Sequence, residues 1–176
     1  MKHLLSFFSL AILFLLTSCL TKSSDPKVLL LDIPASAIQE SFVLQKVEMP
    51  EYLCAGSLRY TTENGELKTV PGGFWALPLD KLIRDSIRTA LRHTERNPFP
   101  VTYVLQLDQI IQSSSEKLLF KGAFVAKNDR VDKQIPFAVE APFRVNPEED
   151  DDENAPERFR QAVNMALTEI LKSSNL

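Results

Sequence analysis

The feature that most constrains the fold is a pair of amphipathic helical segments, separated by three segments that alternate like β-strands. Apolar residues recur at helical spacing over residues 78–94 and again over residues 155–172. Each helix therefore has one apolar stripe that must be buried. A sheet face wide enough for both stripes satisfies this requirement. The sequence predicts an α+β domain, in which a mostly antiparallel sheet carries two amphipathic helices packed on one face.

The strand candidates are short apolar or alternating segments bounded by turn residues. Asn64-Gly65 predicts a hairpin between two of them. Pro136 and Pro142 predict that the last strand either lies at a sheet edge or is bulged. The predicted strands are residues 27–34, 41–49, 58–62, 67–70, 101–111, 117–127 and 133–145. The side chains expected to be buried from the two helices are Leu82, Ile83, Leu91, Phe159, Val163 and Leu167.

The N-terminus carries the most specific signal. The apolar run from Leu4 to Leu16 is shorter than the roughly 20 residues of a membrane span, and it fits the core of a secretion signal. It ends in Leu16-Thr17-Ser18-Cys19, which resembles a bacterial lipobox and predicts lipidation of Cys19. The alternative is an ordinary signal with an incidental cysteine. Leu20, the residue after the cysteine, predicts that the lipoprotein is sorted to the periplasmic face of the outer membrane.

The chain is therefore divided into three parts. Residues 1–18 are a predicted lipoprotein signal peptide, residues 19–26 are the lipid anchor and tether, and residues 27–176 form a single periplasmic domain. The lipid anchor makes the membrane the first predicted partner.

Composition removes most recognisable enzyme classes. The chain has five glycines and two histidines, and its net charge is −3, so we expect no phosphate loop, no metal site, no cofactor and no nucleic-acid partner.

Three further features have an ordinary structural interpretation. His93 is expected to be a surface residue near a helix end, and Cys54 a small buried residue. A catalytic role for either is the alternative. The acidic run from Glu148 to Glu153 is expected to be a solvated loop, with calcium binding as the alternative.

Two features are candidates for partner contact. One basic edge runs along the first helix and comprises Lys81, Arg84, Arg88 and Arg92, which would face anionic headgroups or an acidic protein unless it is simply the solvent face. The other is Phe74-Trp75, which follows a Gly-Gly turn. Its tryptophan is either an anchor at an interface or a residue that packs onto the first helical turn.

Three features of the sequence occur together: the lipobox, the segment 47–53 (Val-Glu-Met-Pro-Glu-Tyr-Leu), and the segment 75–79 (Trp-Ala-Leu-Pro-Leu) that leads into a helix. In these features the chain resembles the ABC-type transport auxiliary lipoproteins, the PqiC-like family. Phe74 stands where that family usually has arginine, and Cys54 where aspartate is common.

The resemblance implies a non-enzymatic lipoprotein that serves an ABC/MCE-type lipid transport system and maintains the outer membrane. Its implied partners are transporter subunits and further copies of itself in a homo-oligomeric ring, with Trp75 and the helix surfaces as candidate contacts. Two other classes stay open: an outer-membrane assembly or envelope-structure lipoprotein with no transport role, and an enzyme centred on His93 or Cys54.

Overall fold

The computed structural model describes residues 25–38, 42–91, 101–128, 131–144 and 152–173. These ranges contain seven strands and three α-helices. The strands are β1 (Lys27–Leu29), β2 (Phe42–Glu48), β3 (Ser57–Thr62), β4 (Leu67–Trp75), β5 (Val101–Ser114), β6 (Lys117–Asn128) and β7 (Val131–Pro142). The helices are α1 (Glu51–Cys54), α2 (Leu79–Leu91) and α3 (Ala155–Ser173), and a 3-10 turn occupies Ala35–Ala37.

The strands form one mixed sheet in the order β1-β4-β3-β5-β6-β7, and β2 pairs with the first half of β5. The pairs β3–β4, β5–β6 and β6–β7 are antiparallel. The pairs β1–β4, β2–β5 and β3–β5 are parallel. The predicted α+β class is confirmed, and the parallel pairs make the sheet mixed rather than purely antiparallel.

Both long helices contribute to one continuous apolar core. Helix α2 packs against β2, whereas α3 packs against β1, β4 and β7. Five of the side chains predicted to be buried are buried, and Leu91 at the end of α2 is only partly covered. The five are Leu82, Ile83, Phe159, Val163 and Leu167. The stripes read from the sequence are therefore the faces that meet the sheet.

Four aromatic rings join helix α3 to the sheet. The ring of Phe159 lies 5.3 Å from that of Phe143, 6.1 Å from that of Trp75 and 6.2 Å from that of Tyr60, measured between centroids. The helix approaches β4 closely at Gly73, where an added Cβ would lie 2.5 Å from the Cβ of Pro156. Glycine is needed here because any larger residue would push the start of α3 away from the strand.

Two long-range hydrogen bonds tie the first described strand region to α3 and the residues before it. The Lys27 Nζ donates to the carbonyl oxygen of Glu153 (2.6 Å), and the Asp32 N–H donates to Oδ1 of Asn164 (3.1 Å). These partners are 126 and 132 residues apart in the chain. The two ends of the described domain therefore hold one another in place.

Element boundaries follow the sequence closely where the periodicity is clear. Helix α2 begins one residue later than predicted and is described as far as Leu91; residues 92–100 lie outside the described ranges. The first strand was predicted over residues 27–34 but ends at Leu29. Strand β7 ends the sheet on one side, as its prolines predicted. No helix in the described ranges is long and apolar enough to cross a membrane.

Candidate functional site

Trp75 is a core residue in this structure. Its side chain is 3% exposed and packs against Phe159 of α3, while its backbone N–H donates to the carbonyl oxygen of Gly56 (2.7 Å). The expectation that the Gly-Gly turn presents this indole to a partner is therefore wrong for the folded chain. The reason is that β4 continues through the glycines with a register shift between the Ser57–Phe74 and Arg59–Thr69 pairs, so Val70 and Trp75 both face inward although they are five residues apart. Beyond that shift, strand alternation directs residue 75 inward.

The same alternation directs Phe74 outward. Phe74 is 38% exposed, and its register partner on β1 is Val28, which is 59% exposed. Two further exposed side chains, Leu30 (62%) and Leu77 (43%), line one groove together. We call Val28, Leu30, Phe74 and Leu77 the apolar rim. It lies on the edge strand β1 and on the end of β4, at the entrance to helix α2.

The groove beside the apolar rim separates residues 30–35 from helix α2. It has a volume of about 470 Å³. The hydroxyl of Ser86 crosses it and donates to the carbonyl oxygen of Leu31 (3.2 Å). Asp32 and Asp85 also line it. The groove is thus apolar at one end and acidic along its side.

The basic edge of α2 lies away from the core. Lys81 and Arg88 are exposed, and Arg84 is partly exposed with its Nε 3.5 Å from a carboxylate oxygen of Asp85. In the helix these three residues lie opposite the buried stripe, so they form one solvent-facing side. The fourth predicted member, Arg92, lies outside the described residues. The structure therefore brings three of the four basic candidates together, on a surface that a partner can reach.

The two segments that carry the family resemblance meet in space. Residues 50–54 form the turn into and along α1, and residues 75–79 lead into α2, which contacts α1. Leu53 and Leu79 are both buried in the shared core. The chain passes from one segment to the other through the β3–β4 hairpin, whose turn has Gly65 at a φ of 79°.

Cys54 lies at this corner and is partly buried. Its Sγ donates to the carbonyl oxygen of Met49 (3.9 Å). Burial raises the pKa of the thiol, and the nearby carboxylates of Asp80 and Glu51 raise it further. A raised pKa leaves less thiolate at neutral pH, which is the opposite of what a nucleophilic cysteine requires. His93 lies outside the described residues.

The end of the acidic run organises the start of α3. Asp152 pairs with Arg158, and the Asn154 N–H donates to a carboxylate oxygen of Asp152 (3.2 Å). Glu157 in the first helical turn pairs with Arg160, and the hydrogen bond from that guanidinium lowers the pKa of the Glu157 carboxyl. Glu148 to Asp151 lie outside the described residues.

The described ranges contain no candidate metal site. No group of three or more His, Cys, Asp or Glu side chains there is arranged to hold a metal ion. The predicted lipidation site, Cys19, lies outside those ranges. The apolar rim, by contrast, was missed at the sequence level except for Phe74. Its signal was the unbroken run Val28-Leu29-Leu30-Leu31, because an edge strand that is apolar on both sides must leave one side exposed.

The fold itself recurs among solved structures. No family model and no curated protein matches the chain. An uncharacterized protein of known structure superposes with a TM-score of 0.62 at 12% identity, over 84% of this chain and 95% of that one. Protein XCC0632 from Xanthomonas campestris, described as a DUF330 member, superposes with a TM-score of 0.52 at 16% identity, over 84% of this chain and 91% of that one. At such identities the likeness establishes a shared α+β fold.

Proposed function

We propose that this protein is a lipid-anchored accessory of an ABC/MCE-type lipid transport system, which acts by binding and assembly at the periplasmic face of the outer membrane. The observation that carries the proposal is the meeting of the two resembling segments at the α1–α2 corner. Segments that resemble a family's motifs and also pack together form one structural unit, and this supports a shared role for them.

The chemistry of the described residues favours binding over catalysis. The Cys54 thiol has a raised pKa, and its neighbours at this corner include the acidic side chain of Glu51. The exposed features are instead apolar and basic: the apolar rim and the basic side of α2. Such surfaces suit contact with proteins or membranes.

The structure leaves fewer candidate contact residues than the sequence suggested. Phe74, Lys81, Arg84 and Arg88 are accessible for subunit or partner contact, whereas Trp75 is not. Assembly into a homo-oligomeric ring or docking onto a transporter would therefore use the outer side of α2. Arginine, which supplies two of the three basic side chains there, is enriched at such interfaces.

Site-specific crosslinking tests this proposal. A photoreactive phenylalanine analogue replaces Arg88, which is exposed on the basic side of α2, in the full-length protein in its own cell. Met165, which is exposed on α3, receives the same analogue as the matched control. We expect position 88 to capture a periplasmic MCE subunit or a second copy, and position 165 to capture much less. Deletion of the gene should sensitise the outer membrane to detergent.

The second candidate is an outer-membrane assembly or envelope-structure lipoprotein with no transport role. It shares the predicted anchor and needs the same kind of exposed surface. Crosslinks from position 88 to assembly factors or envelope proteins, without any transporter subunit, would favour it and contradict the transport proposal.

A further inference from the structure

Exposed apolar side chains are concentrated at one place in the described part of the chain. Of its seven exposed large apolar side chains, four form the apolar rim. Val28 and Phe74 are register partners, and Leu30 and Leu77 line the same groove. Leu30 is two residues from Val28 and Leu77 three from Phe74, so the two pairs are neighbours along the chain. A cluster of exposed apolar side chains of this kind usually marks a surface that a partner or a membrane covers.

The position of the apolar rim in the chain indicates that the membrane is what covers it. Val28 is the second residue of β1, and only residues 20–26 separate this strand from the predicted acylated residue, Cys19. Seven residues extend to at most about 25 Å. An acylated Cys19 would therefore hold β1 close to the bilayer. The rim is the exposed apolar surface that begins immediately where that tether ends.

The charges around the rim define the kind of lipid surface it suits. Asp32 and Asp85 line the adjoining groove, and Asp25 and Lys27 are exposed beside Val28. Asp85 lies 3.5 Å from the Nε of Arg84, so charges of both signs surround the rim and there is no excess of positive charge to attract anionic headgroups. In the described part of the chain, none of the basic residues of α2 lines this groove. The rim therefore matches zwitterionic headgroups, and an attraction of α2 for anionic lipid would be a separate contact.

We propose that the apolar rim is a second membrane contact, which inserts Leu30 and its neighbours among zwitterionic lipid headgroups and fixes the orientation of the domain on the bilayer. The proposal rests on the lipid anchor of the proposed function and adds a contact to it. An anchor alone leaves the domain free to rotate on its tether. An anchor with the rim gives two points of attachment, so the opposite side of the domain faces the periplasm.

The test uses the full-length acylated protein in phosphatidylcholine vesicles that contain brominated acyl chains, which quench nearby tryptophan. Trp75 is the only tryptophan, so a Trp75→Phe background is silent. Leu30→Trp reports on the rim, and Met165→Trp, beside the end of β7, is the matched control. We expect quenching at position 30 to be at least about threefold stronger, as for a side chain inserted about 5–10 Å into the headgroup boundary.

A second labelling scheme covers the case in which Trp75→Phe does not fold. Leu30→Cys and Met165→Cys in a Cys54→Ala background then carry a polarity-sensitive fluorophore, and Trp75 is retained. We expect a blue-shifted emission at position 30 and not at position 165.

Each other outcome contradicts the proposal in a recognisable way. Equal signals at positions 30 and 165 on protein whose Cys19 carries acyl chains by mass spectrometry would overturn the rim contact alone. A signal at position 30 that appears only with phosphatidylglycerol would overturn the match of the rim to zwitterionic headgroups. A signal in detergent that grows with protein concentration would identify a second copy as the occupant. Absence of acyl chains on Cys19 would overturn both this proposal and the anchor.

Discussion

Replacing Phe159 with alanine should remove the main connection between helix α3 and the sheet. Phe159 is fully buried, and three aromatic rings surround it at centroid distances of 5.3 to 6.2 Å. Two of them belong to residues in β3 and β4, and the third, Phe143, follows β7. Truncation therefore opens a cavity at the point where three parts of the sheet and one helix meet.

The expected cost follows from this environment. A buried phenylalanine truncated to alanine loses about 3–5 kcal/mol of folding free energy. The three ring contacts place Phe159 in the upper part of that range, since each aromatic pair contributes roughly 0.5–1.5 kcal/mol beyond its burial. For a domain of this size, the melting temperature should fall by roughly 6–20 °C, at about 2–4 °C for each kcal/mol.

The protein carries its own reporter for this experiment. Trp75 is the only tryptophan and lies against Phe159, so its fluorescence in a urea titration follows the separation of α3 from β4. Circular dichroism follows the whole fold. Met165→Ala on the exposed side of the same helix is the control, and it should change stability by no more than about 0.5 kcal/mol. A Phe159→Ala midpoint equal to that of the wild type would refute the packing described for α3.

Three further predictions address separate features. Gly73→Ala should destabilise the fold by about 1–3 kcal/mol in the same titration, whereas Gly56→Ala, whose added Cβ meets no atom within 4 Å, should have little effect; equal midpoints would contradict the close approach of α3. Glu157 has a lowered pKa because Arg160 donates to it, so its stabilisation is present above the ordinary pKa of 4.5 and is lost as pH falls through the lowered folded-state value. Glu157→Gln should therefore flatten the acid limb of the stability profile by no more than about 1 kcal/mol, and an unchanged profile would show that the pair contributes nothing. Cys19→Ser should abolish acylation, which detergent partitioning and mass spectrometry of the N-terminus would detect; a mature wild-type protein that begins elsewhere without acyl chains would contradict the lipobox.

The helices were predictable because each depends on a local periodic pattern. Ile83 and Phe159 lie on stripes that any packed sheet would bury, so their burial follows without knowledge of the topology. Strand pairing was not predictable in the same way. The parallel contact of β1 with β4 depends on residues 27–29 meeting residues 73–75, and nothing within either segment encodes that register.

The residues of the candidate site also depend on strand register, which the sequence did not predict. Phe74 and Trp75 are neighbours of similar character, and the sequence placed both at a contact. Only the register of β4 decides that Phe74 faces out and Trp75 faces in. A shift by one residue would exchange them. Leu30 and Leu77 come together only when β1 is placed beside β4, so the rim could not be recognised from either segment alone.

The bonds that join Lys27 and Asp32 to Glu153 and Asn164 impose an order of events on a growing chain. Synthesis makes β1 before the other described strands, and its sheet partner β4 follows in the first half of the chain, but α3 is the last described element to be made. The contacts of Lys27 and Asp32 with the α3 region therefore form only after that helix has left the ribosome, and such distant pairings form slowly. If the predicted signal peptide directs export through a narrow channel, this delay is an advantage, because the chain must stay unfolded until α3 has passed.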